Sequence, residues 1–110
     1  MSDLAIGLEL FNRGEYVLAF SSLLPVAVAG DAEAQCLIAN LYQVGWGVDH
    51  NIFLSIKWYE KSANQGCGVA SNNLSEIFFA GEDGSVDTEK AMYWRGMAIE
   101  QGFKHIRQLK

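Results

Sequence analysis

The sequence predicts an all-α protein, a solenoid of stacked helical hairpins, and three observations lead to this prediction. A shift of 36 positions places Gly30 over Gly66 and Gly66 over Gly102, with many matching residues between them. Apolar residues recur at intervals of three and four, which is typical of one face of an α-helix. Glycines separate these apolar stretches at the places where a row of hairpins must turn.

The composition is that of one folded domain. Of the 110 residues, 50% are hydrophobic and 19% are charged, which suffices for a single core. The net charge of −5 disfavours nucleic acid and anionic membranes, because phosphate groups are bound by lysine and arginine. The N-terminus lacks the basic region of a signal peptide, and no apolar run approaches the ~20 residues of a membrane helix. We therefore expect a cytoplasmic protein.

The first full repeat, residues 31–66, is predicted to form two helices. The first is expected over residues 32–43 and has one apolar stripe: Ala34, Ile38, Leu41 and Tyr42. The second is expected over residues 51–64 and has a matching stripe: Ile52, Ile56, Tyr59 and Ala63. Gly45 can end the first helix with a positive φ, and Asn51 is a favoured N-cap for the second. The segment "GWGV" is therefore predicted to connect two helices, since it lacks the Lys-Ser/Thr of a phosphate-binding loop.

The remaining repeats follow the same register. Residues 67–102 form the other full copy, in which Asp87 is the expected N-cap of the second helix. Residues 1–30 form a shorter copy, whose second helix contains Pro25 and should kink there. Residues 103–110 are expected to form a short capping helix that covers the end of the core.

The residues at these positions resemble the Sel1-like repeats, relatives of the tetratricopeptide repeats. The first full copy matches that pattern at fifteen positions: Ala32, Ala34, Ile38, Ala39, Tyr42, Gly45, Gly47, Val48, Asn51, Ser55, Trp58, Tyr59, Lys61, Ala63 and Gly66. The resemblance implies a right-handed stack that acts by binding another protein. One branch of the family carries disulfides, but Ser62 stands where that branch has a cysteine. Cys36 and Cys67 are therefore expected to be reduced thiols.

The resemblance also implies where a partner would bind, because the first helices line the concave face of tetratricopeptide-like stacks. This face transfers to ten positions: Leu8, Phe11, Glu33, Leu37, Asn40, Gln43, Asn72, Asn73, Glu76 and Phe79. The amides of its asparagines could donate to and accept from a peptide backbone, or they could be solvated. Leu4, Leu8 and Phe11 could instead belong to the core.

A second candidate surface comprises Trp46, Phe53 and Leu54. Phe53 and Leu54 occupy positions at which the family usually has charged residues, and Trp46 lies nearby at the tip of the connector. Exposed aromatic residues favour a contact surface, either a homodimer interface or a second binding face. Packing of Phe53 against the preceding hairpin is the alternative.

The sequence contains few residues in patterns typical of catalysis or of metal and cofactor binding. His50 and His105, the two histidines, lie in a connector and in the expected cap, with no nucleophile placed beside them. No spacing typical of a metal or cofactor site is present. The preferred hypothesis is a protein–protein interaction module, a small adaptor or regulator whose partner is a neutral or basic protein or peptide. An immunity-type inhibitor that covers a toxin's active site is the alternative, and an enzyme of unknown activity is the weaker one.

Overall fold

The computed structural model describes residues 2–103, which form six α-helices and no strand. The helices are α1 (Asp3–Asn12), α2 (Tyr16–Val28), α3 (Ala32–Val44), α4 (Ile52–Ala63), α5 (Gly68–Ala80) and α6 (Thr88–Glu100). The two helices predicted for the first full repeat are confirmed within one residue at each end. The predicted capping helix, apart from residue 103, lies outside the described residues.

The predicted helix ends are confirmed. The side chain of Asn51 accepts the backbone N–H of Leu54 at 3.0 Å, and Asp87 caps α6 in the same way. Gly45 and Gly81 end α3 and α5 in the left-handed region, with φ of 74° and 69°. A residue with a Cβ is strained at such a φ, so glycine favours the turn at both positions.

The six helices pack in chain order into an elongated stack of 42 × 28 × 22 Å. The core divides into two clusters. The first lies between α2 and α3: Ala19, Leu23, Ala27, Ala34 and Ile38. The second extends from α3 to α6: Cys36, Ala39, Ile52, Tyr59, Ala63, Ala70, Leu74, Ile77, Phe78, Ala91 and Trp94. Trp58 packs against both clusters, so the core is continuous along the stack. This architecture is an all-α repeat solenoid of about three repeats.

Helix α2 continues through Pro25 to Val28. Proline lacks the N–H that would bond to a carbonyl one turn earlier, and the sequence therefore predicted a kink. Pro25 lies on the exposed side of the helix, where water can reach the carbonyl that is left without its helical partner. The hairpin of α1 and α2 is thus preserved in spite of the proline.

Candidate functional site

A groove lies between the N-terminal halves of α3 and α5, and we call it the α3–α5 groove. Its volume is about 550 Å³. Its lining comprises Ala32, Glu33, Cys36, Leu37, Gln65, Gly66, Cys67 and Val69. Gly66, with φ of 99°, turns the chain after α4 and thereby brings Cys67 next to α3. The predicted residues Glu33 and Leu37 are thus together in one concave site.

A buried tyrosine organises the opposite ends of α3 and α5. Tyr59 is 0% exposed, and its hydroxyl donates to Oε1 of Gln43 at 2.8 Å. The side chains of Asn40 and Asn73 lie close enough to the same hydroxyl to lower its pKa, and Nε2 of Gln43 donates to the Glu82 carboxylate at 3.2 Å. We call these five residues the Tyr59 cluster.

The hydroxyl of Tyr59 can satisfy all three amides at once. Burial raises the pKa of Tyr59 above its usual range, so the hydroxyl stays protonated at neutral pH. One phenolic group donates one hydrogen and has two lone pairs, which matches one acceptor and two donors. Gln43 therefore has partners inside the protein, Tyr59 and Glu82, while Asn40 and Asn73 lie beside the Tyr59 hydroxyl.

The groove also contains both cysteines, and both are free thiols. Cys36 lies on α3 and is 9% exposed, whereas Cys67 precedes α5 and is half-buried. Their side chains are close enough for each to shift the pKa of the other. The Cys67 sulfur makes no cap hydrogen bond to α5, yet the N–H groups of Val69 and Ala70 face it.

These contacts separate the acidities of the two thiols. The Cys36 thiol and the N–H groups at the start of α5 lower the pKa of Cys67 to about 5, although burial opposes the shift. The neighbouring Cys67 side chain raises the pKa of Cys36 above its usual range, and burial and the negative charge of Glu33 act in the same direction. These contacts favour the thiolate form of Cys67 and the protonated form of Cys36.

The predicted residues of α1 do not line this groove. Leu4 and Phe11 pack against the first core cluster, and the Phe11 ring meets Tyr16 edge-on at 5.6 Å between centroids. Leu8 is half-buried. Leu4 and Phe11 thus have the core role that the sequence had left as an alternative.

The remaining predicted groove residues belong to α5. Asn72 is half-buried and Glu76 is exposed. Phe79 is half-buried and packs against the second core cluster, so its ring is part of the fold as well as of this face. These three residues extend the α5 side of the site beyond the groove and towards the Tyr59 cluster.

The second candidate surface is spread over two elements. Trp46 is 48% exposed and stacks on Tyr16 of the preceding hairpin, with centroids 4.8 Å apart and planes inclined by 25°. Phe53, on the first turn of α4, is 66% exposed, and Leu54 is half-buried. Trp46 therefore has a structural role in joining the first two hairpins, while Phe53 presents most of its ring to solvent.

Sequence reasoning missed two features of this site. The sequence places Cys67 at the start of α5, where a thiolate is somewhat stabilised, but a buried or idle thiol was the preferred interpretation, and its proximity to Cys36 was not predicted. Tyr59 was assigned to the apolar stripe of α4. A buried tyrosine needs a partner for its hydroxyl, and this requirement could have drawn attention to the amides on the neighbouring helices.

Within residues 2–103, no three histidine, cysteine or acidic side chains lie close enough to hold a metal ion. None of the helices in the same range combines the length and the apolar character needed to cross a membrane.

Comparisons with known proteins agree with this architecture. The Sel1 repeat family matches residues 32–67 and 68–103. A Sel1 repeat protein from Oxalobacter formigenes is similar in structure, with a TM-score of 0.85, 32% identity and 92% of this chain covered. A second similar structure is c5321, a protective antigen of uropathogenic Escherichia coli with an SLR fold, with a TM-score of 0.82, 27% identity and 91% coverage. No curated protein matches the sequence.

This chain spans 40% and 22% of the lengths of those two proteins. The two family matches coincide with the hairpins α3–α4 and α5–α6, and together they cover more than half of the chain. Sel1 repeat proteins are generally protein-interaction modules, and their fold is typically a non-enzymatic scaffold. The chain belongs to the Sel1 repeat family.

Proposed function

We propose that this protein is a small adaptor or regulator that holds a segment of a partner protein in the α3–α5 groove. One observation carries the proposal: the groove, about 550 Å³ in volume, has half-buried Leu37 and exposed Val69 on its walls. Apolar walls of this kind offer water no hydrogen-bond partners, whereas burial there stabilises an apolar side chain of a partner.

The charge around the groove favours a basic or neutral partner. Glu33 is an exposed acid in the lining, and Glu76 is an exposed acid on α5. The whole chain has a net charge of −5, which adds a weak long-range attraction for positively charged proteins. We therefore expect a segment with one apolar anchor and lysine or arginine beside it, bound faster at low salt than at high salt.

The test is an affinity capture from the source organism's lysate, read by mass spectrometry, with Glu33→Arg/Val69→Arg as the groove variant. Both side chains are exposed, so their replacement should leave the helices intact. Val69 is preferred to Phe79 because Phe79 also packs against the core. The matched control is Glu89→Arg/Met92→Arg on α6, which makes the same change of charge at two exposed positions away from the groove.

A partner captured by the wild type and the control, and lost by the groove variant, supports the proposal. A partner retained by the groove variant contradicts it and directs attention to Trp46, Phe53 and Leu54. Circular dichroism of each variant establishes that the loss is not caused by unfolding.

The inhibitor form of the proposal makes a different prediction about stoichiometry. Net negative charge would suit a cytoplasmic protein that neutralises a basic toxin or enzyme. One partner bound 1:1, with its activity blocked, favours the inhibitor, whereas several partners that share a motif favour the adaptor. Sedimentation of the protein alone tests for a homodimer, and cell fractionation tests the cytoplasmic location.

A further inference from the structure

We infer that Cys36 and Cys67 form a thiol–disulfide exchange site in the α3–α5 groove. In this reaction Cys67 attacks a small-molecule disulfide, and Cys36 then resolves the mixed disulfide. The product is a disulfide bond between α3 and the residue that precedes α5. The exchange requires no protein partner, so its test is separate from that of the proposed function.

Such a reaction needs room for a small disulfide, a reachable attacking thiol and a second thiol nearby, and the groove provides all three. Both sulfurs belong to the lining of one open groove, whose volume of about 550 Å³ can admit a small disulfide. Cys67 is half-buried and therefore reachable, while Cys36 is 9% exposed and sheltered behind it. Both cysteines line the same groove, so Cys36 lies near the sulfur it must attack.

Three features favour Cys67 as the attacking sulfur. It precedes α5, where the partial positive charge of the helix N-terminus favours an anion. The neighbouring Cys36 thiol lowers the pKa of Cys67, which favours its ionised form. Cys36 is sheltered and keeps its proton until the second step. The two thiols thus have different roles, nucleophile and resolving thiol.

The chemistry balances with oxidised glutathione as the oxidant. The Cys67 thiolate attacks one sulfur of glutathione disulfide, forms a mixed disulfide and releases one glutathione thiolate. Cys36 transfers its proton to that thiolate or to water and attacks the Cys67 sulfur. The second glutathione leaves as a thiolate, so the protein loses two electrons and two molecules of reduced glutathione are formed.

The bond requires only a local movement. A disulfide needs the two sulfurs at about 2.05 Å, closer than in a hydrogen bond. Cys67 lies between α4 and α5 with an extended backbone, outside either helix, so its side chain can turn towards α3 without breaking a helical turn. The bridge would join the two walls of the groove and restrict the space in which an apolar side chain could bind.

The experiment treats the reduced full chain with oxidised glutathione at pH 7, stops the reaction with acid, and follows intact mass and peptide masses over time. The wild type should lose two hydrogens and link the peptides that contain Cys36 and Cys67. Cys36→Ser should stop at one glutathione on Cys67. Cys67→Ser should react about tenfold more slowly, because the remaining thiol is largely protonated and buried.

Two controls keep the result interpretable. Serine is a favoured N-cap, so Cys67→Ser should retain α5, which circular dichroism can verify. At pH 5.5 the wild type unfolded in guanidinium should react more slowly at Cys67, because unfolding removes the helix N-terminus and leaves hardly any thiolate at that pH. This comparison remains valid if Cys36→Ser does not fold.

Three results would overturn the inference. The first is a native wild type that accumulates a stable glutathione adduct and no internal disulfide. The second is modification of Cys36 before Cys67. The third is a native Cys67 that reacts no faster at pH 5.5 than the same residue in the unfolded chain.

Discussion

The two full repeats share one register but hold their hairpins together differently. Three polar side chains of α4 donate hydrogen bonds to α3: Ser55 to the Ala39 carbonyl at 2.8 Å, Tyr59 to Gln43 at 2.8 Å, and Ser62 to the Ala32 carbonyl at 2.7 Å. The same three positions on α6 are Ala91, Arg95 and Ala98. The hairpin α3–α4 is therefore fixed by three directional bonds from α4, whereas α5–α6 has one such bond, from Ser71 to the α6 cap residue Gln101 at 2.6 Å, beside the packing of large core residues such as Phe78 and Trp94.

The positions of the hairpins explain the difference. Hairpin α3–α4 has a neighbour on each side, and its polar groups are buried and must find partners within the protein. Helix α6 packs on α5 and leaves Met92, Tyr93 and Ile99 exposed. Buried hydrogen bonds make the middle repeat specific in register, whereas α6 combines a closely packed inner face with an exposed outer face.

The connectors of the two hairpins also differ, because Gly47 in the first is closely packed and Gly84 in the second is not. This difference gives the largest predicted effect. Gly47 has φ of 75°, and a Cβ there would overlap the Tyr16 carbonyl and approach the Val17 nitrogen to 2.7 Å. Gly84 has φ of 117°, but no atom lies within 4 Å of a Cβ built there. Gly47→Ala should therefore lower the free energy of unfolding by about 3 kcal/mol, the sum of backbone strain and overpacking.

Gly84→Ala is the matched control, since it carries only the strain of a positive φ and should cost about 1 kcal/mol. Urea unfolding followed by circular dichroism measures both values. Equal losses for the two variants would mean that the contact of the first connector with α2 adds no stability, and the distinction between the connectors would fail.

The second prediction removes the hydroxyl at the centre of the Tyr59 cluster. Tyr59→Phe keeps the buried ring but leaves Oε1 of Gln43 without its donor, so the free energy of unfolding should fall by about 1.5 kcal/mol. Tyr93→Phe is the control on α6, where the ring is exposed and the change should lie within about 0.5 kcal/mol. Chemical denaturation of both variants tests whether the buried hydroxyl contributes to the free energy of unfolding.

The sequence predicted the helices and turns well because their determinants are local. Asn51 bonds to an N–H three residues away, and Gly45 adopts its positive φ through its own lack of a Cβ. The repeat also predicted that the helices pack in chain order, because residues at matching positions of two repeats have matching neighbours. These signals do not depend on distant contacts, so they can be read directly from the chain.

The site was predicted less completely because its contacts cross between repeats. Glu33 and Leu37 were identified from the face of α3 that they share. Cys36 and Cys67 lie in one groove but are 31 positions apart in the sequence. This separation differs from the 36-residue period, so the repeat alignment could not pair them. Tyr59 likewise reaches past its own hairpin to Asn73, and an apolar stripe cannot predict such a contact.

The third prediction exchanges a single hydroxyl between the repeats. Ser55 is 0% exposed and donates to Ala39, so Ser55→Ala should cost about 1 kcal/mol. Its counterpart Ala91 is also 0% exposed, and Ala91→Ser would bury a hydroxyl in a site packed for a methyl group. If Ala91→Ser is as stable as the wild type by urea unfolding, the α5–α6 hairpin can accept the bond that α3–α4 uses, and the contrast between the hairpins is smaller than we infer.

The smallest predicted effect has the opposite sign and concerns glycines inside helices. Gly96 lies in the interior of α6, is exposed, and has no atom within 4 Å of a Cβ built on it. Glycine in a helix costs about 0.5–1 kcal/mol relative to alanine, because its unfolded backbone is freer. Gly96→Ala should therefore raise the free energy of unfolding by that amount.

Gly7 gives the matched contrast for this last prediction. It lies in α1, is buried, and a Cβ there would approach Cγ of the fully buried Leu23 to 2.6 Å. Gly7→Ala gains the same helix propensity but must displace Leu23, so a net loss of stability is expected from denaturation. A gain from both substitutions would show that α1 can move away from α2. Opposite signs would establish that Gly7 is required for packing, whereas Gly96 marks a part of α6 that packing leaves unconstrained.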